Sequence, residues 1–244
     1  MHWVFKEDKF LSDVLNRDCF VLEIKENLCG IIENANQFRI SLMEKSFVYA
    51  KVSADQITAI RFLETNRFNL IDTNVSFSVD RGGFRKIPAD ETIRFARPED
   101  ASSTTVLAGE VFTFSRFHLD PKFTTEEARR VKSEWVSNFF RGKRGDQFIV
   151  AEVQKKIVGF LQMLERGENN WIIDLIGVHQ DHQRKGLGAK MINFAMENCG
   201  SKTEGEVKTM QVGTQLANGS SLRLYERLGF RYSHSAYVFH YHNT

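Results

Sequence analysis

Seven residues, Gln183-Arg184-Lys185-Gly186-Leu187-Gly188-Ala189, join an apolar run ending at Val178 to an amphipathic run carrying Leu187, Met191, Ala195 and Cys199. The pattern predicts a strand, a tight glycine turn and a helix start. Such a turn is an anion cradle. Glycine at 186 and 188 lets a ligand approach the backbone, the amides of a first helical turn have no intrahelical acceptor, and Arg184 and Lys185 add positive charge. A dinucleotide-binding turn needs a third glycine where Met191 stands, so that reading is set aside. The kinase and Walker lysine patterns are absent as well. What remains is a phosphate-binding turn or a plain basic turn.

Composition narrows the classes. The chain has 244 residues, 42% hydrophobic and 26% charged, with 21 phenylalanines, which suits a folded protein with a substantial core. A net charge of +2 with scattered Lys and Arg argues against nucleic acid as the partner. Cys19, Cys29 and Cys199 are odd in number and lack metal-site spacing, so they read as thiols in a reducing compartment. The histidines, four of them in the pairs His179/His182 and His240/His242, suggest no metal site. No apolar run approaches the ~20 residues that span a bilayer, and the N-terminus carries charges too early for a signal peptide, so a cytoplasmic protein without a membrane partner is expected.

The elements that must hold the turn follow from periodicity. Glycines, a proline and mixed charge between Val79 and Glu91 predict a division near residue 90. Residues 1–90 read as a small α+β unit with strands over Cys19 to Ile24 and Asn69 to Val79 and a helix over Ala54 to Glu64 capped by Ser53. Residues 91–244 read as strand Thr92 to Phe95, a helix from Pro98 to about Phe114, a loop over Ser115 to Pro121, and a helix over Thr125 to Phe140 opened by the capping box Thr124-Thr-Glu-Glu127. A hairpin over Gln147 to Val153 and Ile157 to Leu164 and a strand over Trp171 to Val178 lead into the turn. Beyond its helix come strand Val207 to Thr214, helix Ser220 to Leu228 and strand Tyr232 to Tyr241. The segment Ile57 to Phe77 has the same plan as that from Ser220 onward, with Leu63 standing where Tyr225 stands. It reads either as a decayed copy without catalysis or as a chance similarity.

This order, together with Gln183 to Ala189 and with Asn218-Gly-Ser-Ser-Leu-Arg-Leu-Tyr225-Glu-Arg-Leu-Gly229-Phe230, resembles the Gcn5-related N-acetyltransferases over residues 91–244. The resemblance implies the mixed α/β sheet of that fold flanked by helices, with the smaller N-terminal unit as a degenerate partial copy. It implies acyl-CoA as co-substrate, held by Ile176, Val178, Gln183, Arg184, Lys185, Gly186, Leu187, Gly188, Ala189 and Asn218. Tyr225 is then the acid for the leaving thiolate, or else a core tyrosine. The amide of Val178 is the expected oxyanion donor, because the family's strand splays from its neighbour there. Histone-type members carry a glutamate six residues before that position, where this chain has Ile172. Asp174 is the carboxylate of the strand, read as orienting the amine, taking its proton through water, or merely solvated.

Ser115-Arg-Phe-His, Trp135 to Gly142, Gln211 to Gln215 and Ser235-Ala-Tyr237 are similar to the TDP-fucosamine acetyltransferases of that family. The resemblance implies a dTDP-linked amino sugar as acceptor, with Arg116 on the diphosphate, Phe117 or His118 on the base, and Gln215 and Tyr237 on sugar hydroxyls. His118 also reads as a solvated loop residue, and Gln215 and Tyr237 as strand packing. The acyl group is acetyl or a short acyl such as hydroxybutyryl. Other acceptors, such as a small amine or a protein N-terminus, and a CoA-binding protein without turnover stay open. Ser233 to His242, as a terminal aromatic strand, is a candidate for pairing across a homodimer.

Overall fold

In the computed structural model, described here for residues 2–25, 46–167, 169–200 and 205–243, ten strands form one mixed sheet. They are β1 (His2–Glu7), β2 (Cys19–Lys25), β3 (Phe47–Ser53), β4 (Asn69–Asp80), β5 (Ile93–Phe95), β6 (Gln147–Val153), β7 (Lys156–Glu165), β8 (Asn170–Val178), β9 (Thr209–Gln215) and β10 (Arg231–His242). Their order is β1-β2-β3-β10-β4-β9-β8-β7-β6-β5. All pairs are antiparallel except β2 with β3 and β8 with β9. The expected β6/β7 hairpin is present, and its two-residue turn, Gln154 and Lys155, has positive φ at both positions, 50° and 61°, which suits the right-handed twist of the strands.

Strand alternation assigns the helices to faces. Val48, Ala50 and Val52 of β3 point to the face covered by α2 (Ile57–Thr65), whereas Phe47 points to the face of α1 (Lys9–Leu15), α4 (Arg116–Leu119) and α5 (Thr125–Phe140), with Tyr49 packed beside it. The first face also carries α6 (Leu187–Asn198) and α7 (Gly219–Arg227), and the second carries α3 (Ala101–Glu110). The Thr124 capping box forms on both arms: Thr124 Oγ1 accepts from the Glu127 amide at 3.1 Å and Glu127 Oε2 from the Thr124 amide at 2.8 Å.

Several local expectations change. Ser53 ends β3 and caps nothing; α2 starts at Ile57, and its cap residue Gln56 makes no side-chain cap bond. The helix expected from Pro98 to Phe114 is a 3-10 turn over Pro98–Asp100 followed by α3, which stops at Glu110, and the expected loop contains α4. From Ala236 onward β10 has β3 on one side, and as far as His240 it has β4 on the other, so the backbone of that stretch is not available to pair across a dimer. Cys19 and Cys199 are buried free thiols, each pushed up to about 12 mainly by burial; Cys29 lies outside the described residues.

The likeness between Ile57 to Phe77 and the C-terminal segment extends to three dimensions. β3, α2 and β4 have seven, nine and twelve residues, and β9, α7 and β10 have seven, nine and twelve, with matching breaks between them. Each unit's long strand lies between the strands of the other, in the order β3-β10-β4-β9. The parallel β2/β3 ladder, starting at Cys19 and Phe47, corresponds to the β8/β9 ladder, starting at Asn170 and Thr209. Residues 81–92 connect β4, in the middle of the sheet, to β5 at its edge.

Candidate active site

The parallel β8/β9 ladder runs from Asn170 and Thr209 to Ile173 and Val212 and then ends. β8 continues to Val178 against β7, and β9 to Gln215 against β4, so the two strands part and leave a cleft in the sheet. At the parting point the β7/β8 register slips between Gln162 and Met163, leaving Asp174 as the extra residue of a β-bulge. The bulge puts Asp174 and Leu175 on the α5 face and returns Ile176 and Val178 to the α6 face. The His179 amide bonds the Val158 carbonyl at 2.8 Å, which fixes the alternation of the ladder. Gly177 and Phe160 therefore form a bonded pair, and the N–H and C=O groups of Ile176 and Val178 turn away from β7 toward the cleft.

The glycine turn closes the α6 end of this cleft. Gly186 caps α6 with φ 79°, a conformation costly for a residue with a Cβ, and Arg184 is also left-handed, at 61°. A Cβ on Gly188 would stand 3.3 Å from Leu224 and 3.9 Å from Ile176, so glycine here allows α6, α7 and β8 to approach. Gln183 Nε2 donates to the Val178 carbonyl at 3.1 Å and Lys185 Nζ to the Asp181 carbonyl at 2.8 Å, which tie the turn to the strand end. The amides of Leu187, Gly188 and Ala189 belong to the first helical turn and have no intrahelical acceptor. Asn218 caps α7 by accepting from the Ser221 amide at 3.2 Å.

Tyr225 lies on the buried side of α7, 2% exposed, with ring centres of Phe230 and Phe77 at 5.6 and 6.2 Å. Burial pushes its phenol well above the usual tyrosine range, and a hydrogen bond with Ser221, one turn earlier, acts in the opposite direction. The phenol therefore stays protonated at any physiological pH.

On the opposite face Asp174 is saturated with donors. Arg144 reaches it through Nε at 2.7 Å and Nη2 at 2.6 Å, Trp135 Nε1 at 2.8 Å and Gln162 Nε2 at 3.2 Å. Its side chain is 7% exposed, which corrects the solvated reading. A carboxylate held by four hydrogen bonds positions its neighbours. Arg116 stacks over Tyr49, 3.7 Å from the ring centre, and its Nη1 lies 3.4 Å from His240 Nε2. His240 Nδ1 meets Asp120 Oδ2 at 2.7 Å, and His242 Nε2 meets the same oxygen at 2.8 Å. Burial lowers His240 to about 4, leaving it neutral. Because a guanidinium only donates, Nε2 is the acceptor and Nδ1 carries the proton given to Asp120. Burial acts to raise Asp120, but the two imidazole bonds outweigh it and hold the carboxyl well below its usual range. These three residues have the donor set of a metal site, yet atoms 2.7–2.8 Å apart share protons. Ligands at ~2.0–2.1 Å from one tetrahedral ion would stand about 3.3 Å apart.

Comparison with known proteins now decides the class. Residues 112–230 match the acetyltransferase (GNAT) family model. The chain carries a GNAT acetyltransferase domain. With it comes the class of acyl-CoA-dependent N-acyltransferase. The spore coat polysaccharide biosynthesis protein SpsD of Bacillus subtilis (strain 168) is 27% identical over 198 residues, covering 81% of this chain and 67% of that protein. N-alpha-acetyltransferase 30 of Xenopus laevis is 25% identical over 141 residues, 58% of this chain and 47% of that protein. A GCN5-related N-acetyltransferase from Sphaerobacter thermophilus shares the fold with a TM-score of 0.64 at 15% identity, covering 99% of this chain and 76% of that one. Among the described residues no helix is long and apolar enough to cross a membrane.

In the GNAT frame, the residues expected at CoA gather at one end of the cleft, and those expected at the acceptor scatter. Phe117 is 2% exposed and packs edge-on against Phe123 at 5.3 Å, so it belongs to the core and cannot stack on a base. His118 is half-buried: its Nδ1 lies 2.6 Å from Ser115 Oγ, its Nε2 is buried without a partner among the described residues, and burial, then Lys132 and Arg129, lower its pKa. Tyr237 sits with Phe239 on the α2 face, across the sheet from Arg116. Gln215 hydrogen-bonds Asp72 on the Arg116 side. The sequence reading missed Lys51, Lys132, Arg144 and the Asp120/His240 pair. A signal existed for Lys132, which interrupts the buried stripe Ala128, Val131, Trp135 and Val136 of α5.

Proposed function

We propose that the GNAT domain transfers an acetyl or other short acyl group from acyl-CoA to the amine of a nucleotide-linked amino sugar, in the dTDP series. The observation that carries the acceptor class is Arg116. Its guanidinium is fixed by Tyr49 and His240 on the α5 face and has no carboxylate within 4 Å among the described residues, as suits a residue kept for a ligand anion. SpsD, whose name assigns it to spore coat polysaccharide biosynthesis, supports a sugar acceptor.

The pyrophosphate of CoA lies on the amides of Leu187 to Ala189 beside Arg184 and Lys185, and the pantetheine enters the cleft along Ile176 and Val178. The amine attacks the thioester carbon from the α5 face, and the Val178 N–H receives the oxyanion. As the C–S bond breaks, Tyr225 protonates the sulfur, and the proton shed by nitrogen balances the one given. Asp174 holds Trp135 and Arg144 as the wall of the acceptor site.

A panel of acyl-CoAs against dTDP- and UDP-linked amino sugars, followed by free-thiol release, tests this reading. Release with a dTDP-linked amino sugar is expected, and none with any sugar nucleotide refutes the acceptor. The similarity to an N-alpha-acetyltransferase favours a second reading, a protein N-terminus, so short peptides belong in the same panel.

A further inference from the structure

Three cations converge on the α5 face without a carboxylate within 4 Å of any of them among the described residues: Lys51, Arg116 and Lys132. Lys51 is exposed on β3, two residues from Tyr49, on whose ring Arg116 rests at 3.7 Å. It lies opposite Val238 of β10, which lies opposite Asp72 of β4, so Lys51 and Asp72 share this face. Lys132 reaches in from α5 and is only 9% exposed. Its ammonium stands 4.8 Å from the Phe112 ring centre and 5.1 Å from that of Trp135, and it has no hydrogen bond among the described residues. Trp135 is three residues further along the same helix and bonds Asp174 at the bulge, which puts this cluster beside the cleft where β8 and β9 part.

An ammonium buried to this degree without an acceptor gives up most of its hydration, and neighbouring like charges add to the cost. A bound anion restores both. From this geometry we infer that Lys51, Arg116 and Lys132 together hold a phosphate or diphosphate group of the acceptor. Asp72, Asp8 and Asp174 act on these cations from a distance without pairing with them, so a ligand must meet all three at once, and a phosphate offers three acceptor oxygens and up to two charges. The electrostatics agree: burial, followed by Arg116, lowers Lys132 to about 8. The nucleotide end of the acceptor thus meets residues of both halves of the chain, Lys51 coming from the N-terminal unit and Arg116 and Lys132 from the GNAT domain. The inference rests on the proposed acyl transfer only in assigning the anion to the acceptor; the anion site stands on the three cations.

The test is calorimetric titration of inorganic pyrophosphate into the full chain saturated with CoA, so that the Arg184 to Ala189 turn is already filled. One bound pyrophosphate is expected. Lys132→Met and Lys51→Met should each weaken it at least tenfold, Lys132→Arg should retain it, and Lys156→Met, which removes an exposed lysine of the β6/β7 hairpin, should leave it unchanged. CoA affinity in each variant reports that the fold is intact. Absence of pyrophosphate binding to the wild-type chain, or binding that survives both methionine substitutions, overturns the inference. Binding that depends on the lysines, without turnover of any nucleotide-linked amino sugar, upholds the anion site and refutes the proposed acceptor instead.

Discussion

Arg116 Nη1 lies 3.4 Å from His240 Nε2, and the far nitrogen of that imidazole lies 2.7 Å from Asp120. The neutral ring passes the influence of a buried carboxylate to a guanidinium that Tyr49 holds by its face. His240 is therefore a positioning residue. His240→Phe should keep CoA affinity and raise KM for the acceptor about tenfold with a smaller change in kcat, measured by thiol release against acceptor concentration. A purely structural role would instead lower the amount of active enzyme without shifting KM.

The same imidazole makes stability depend on pH. Its folded value, about 4, lies below the ~6.5 of a free histidine, so the unfolded chain binds the extra proton first as pH falls. Stability should decline between about pH 6.5 and 4, with a slope of at most about 1.4 kcal/mol for each pH unit. Asp120, held below its ordinary range, adds a further loss below about pH 4. Urea midpoints across pH 4 to 7 check this, and His240→Phe should flatten the upper part of the curve.

Asp174→Asn keeps the shape and removes the charge that organises Arg144, Trp135 and Gln162. Because Arg144 is 40% exposed, the loss should fall below that of a fully buried pair, at about 1–3 kcal/mol of stability. If Asp174 positions the acceptor wall, the pH profile of kcat/KM keeps its shape in the variant. Disappearance of an acidic limb would show instead that this carboxylate is the base.

Gly186→Ala must adopt φ 79° with a Cβ, at a cost of about 1–2 kcal/mol, in the turn proposed to hold the CoA anion. The dissociation constant for CoA should rise about tenfold, with kcat at saturation nearly unchanged. Equal loss in both would show that the turn acts on the chemical step.

The elements proposed to hold the donor were legible in the sequence because their signals are local: the glycine turn before α6 and the Asn218 cap and Tyr225 of α7 are each read from a few adjacent residues. The acceptor half depends on contacts distant in sequence. Arg116 meets Tyr49 and His240, and Lys51 faces Asp72 only because β10 inserts between β3 and β4. No periodicity encodes that insertion. Phe117 illustrates the reverse error: it reads as a ligand contact together with Arg116, but a helix turns adjacent side chains apart, and this one faces the core. The division expected near residue 90 came from a glycine-rich segment that joins two strands of one sheet.

The proposed reaction is acyl transfer to an amine across the β8/β9 cleft with Tyr225 as acid. The most direct measurement follows acetyl-CoA and a dTDP-linked amino sugar by mass spectrometry alongside free thiol, for the wild-type chain and for Tyr225→Phe. One N-acetylated sugar nucleotide per CoA released is expected, and in the variant unchanged CoA binding with turnover reduced by about 10²-fold or more. Thiol release without an amide product, or a Tyr225→Phe chain that turns over at the wild-type rate, would contradict it.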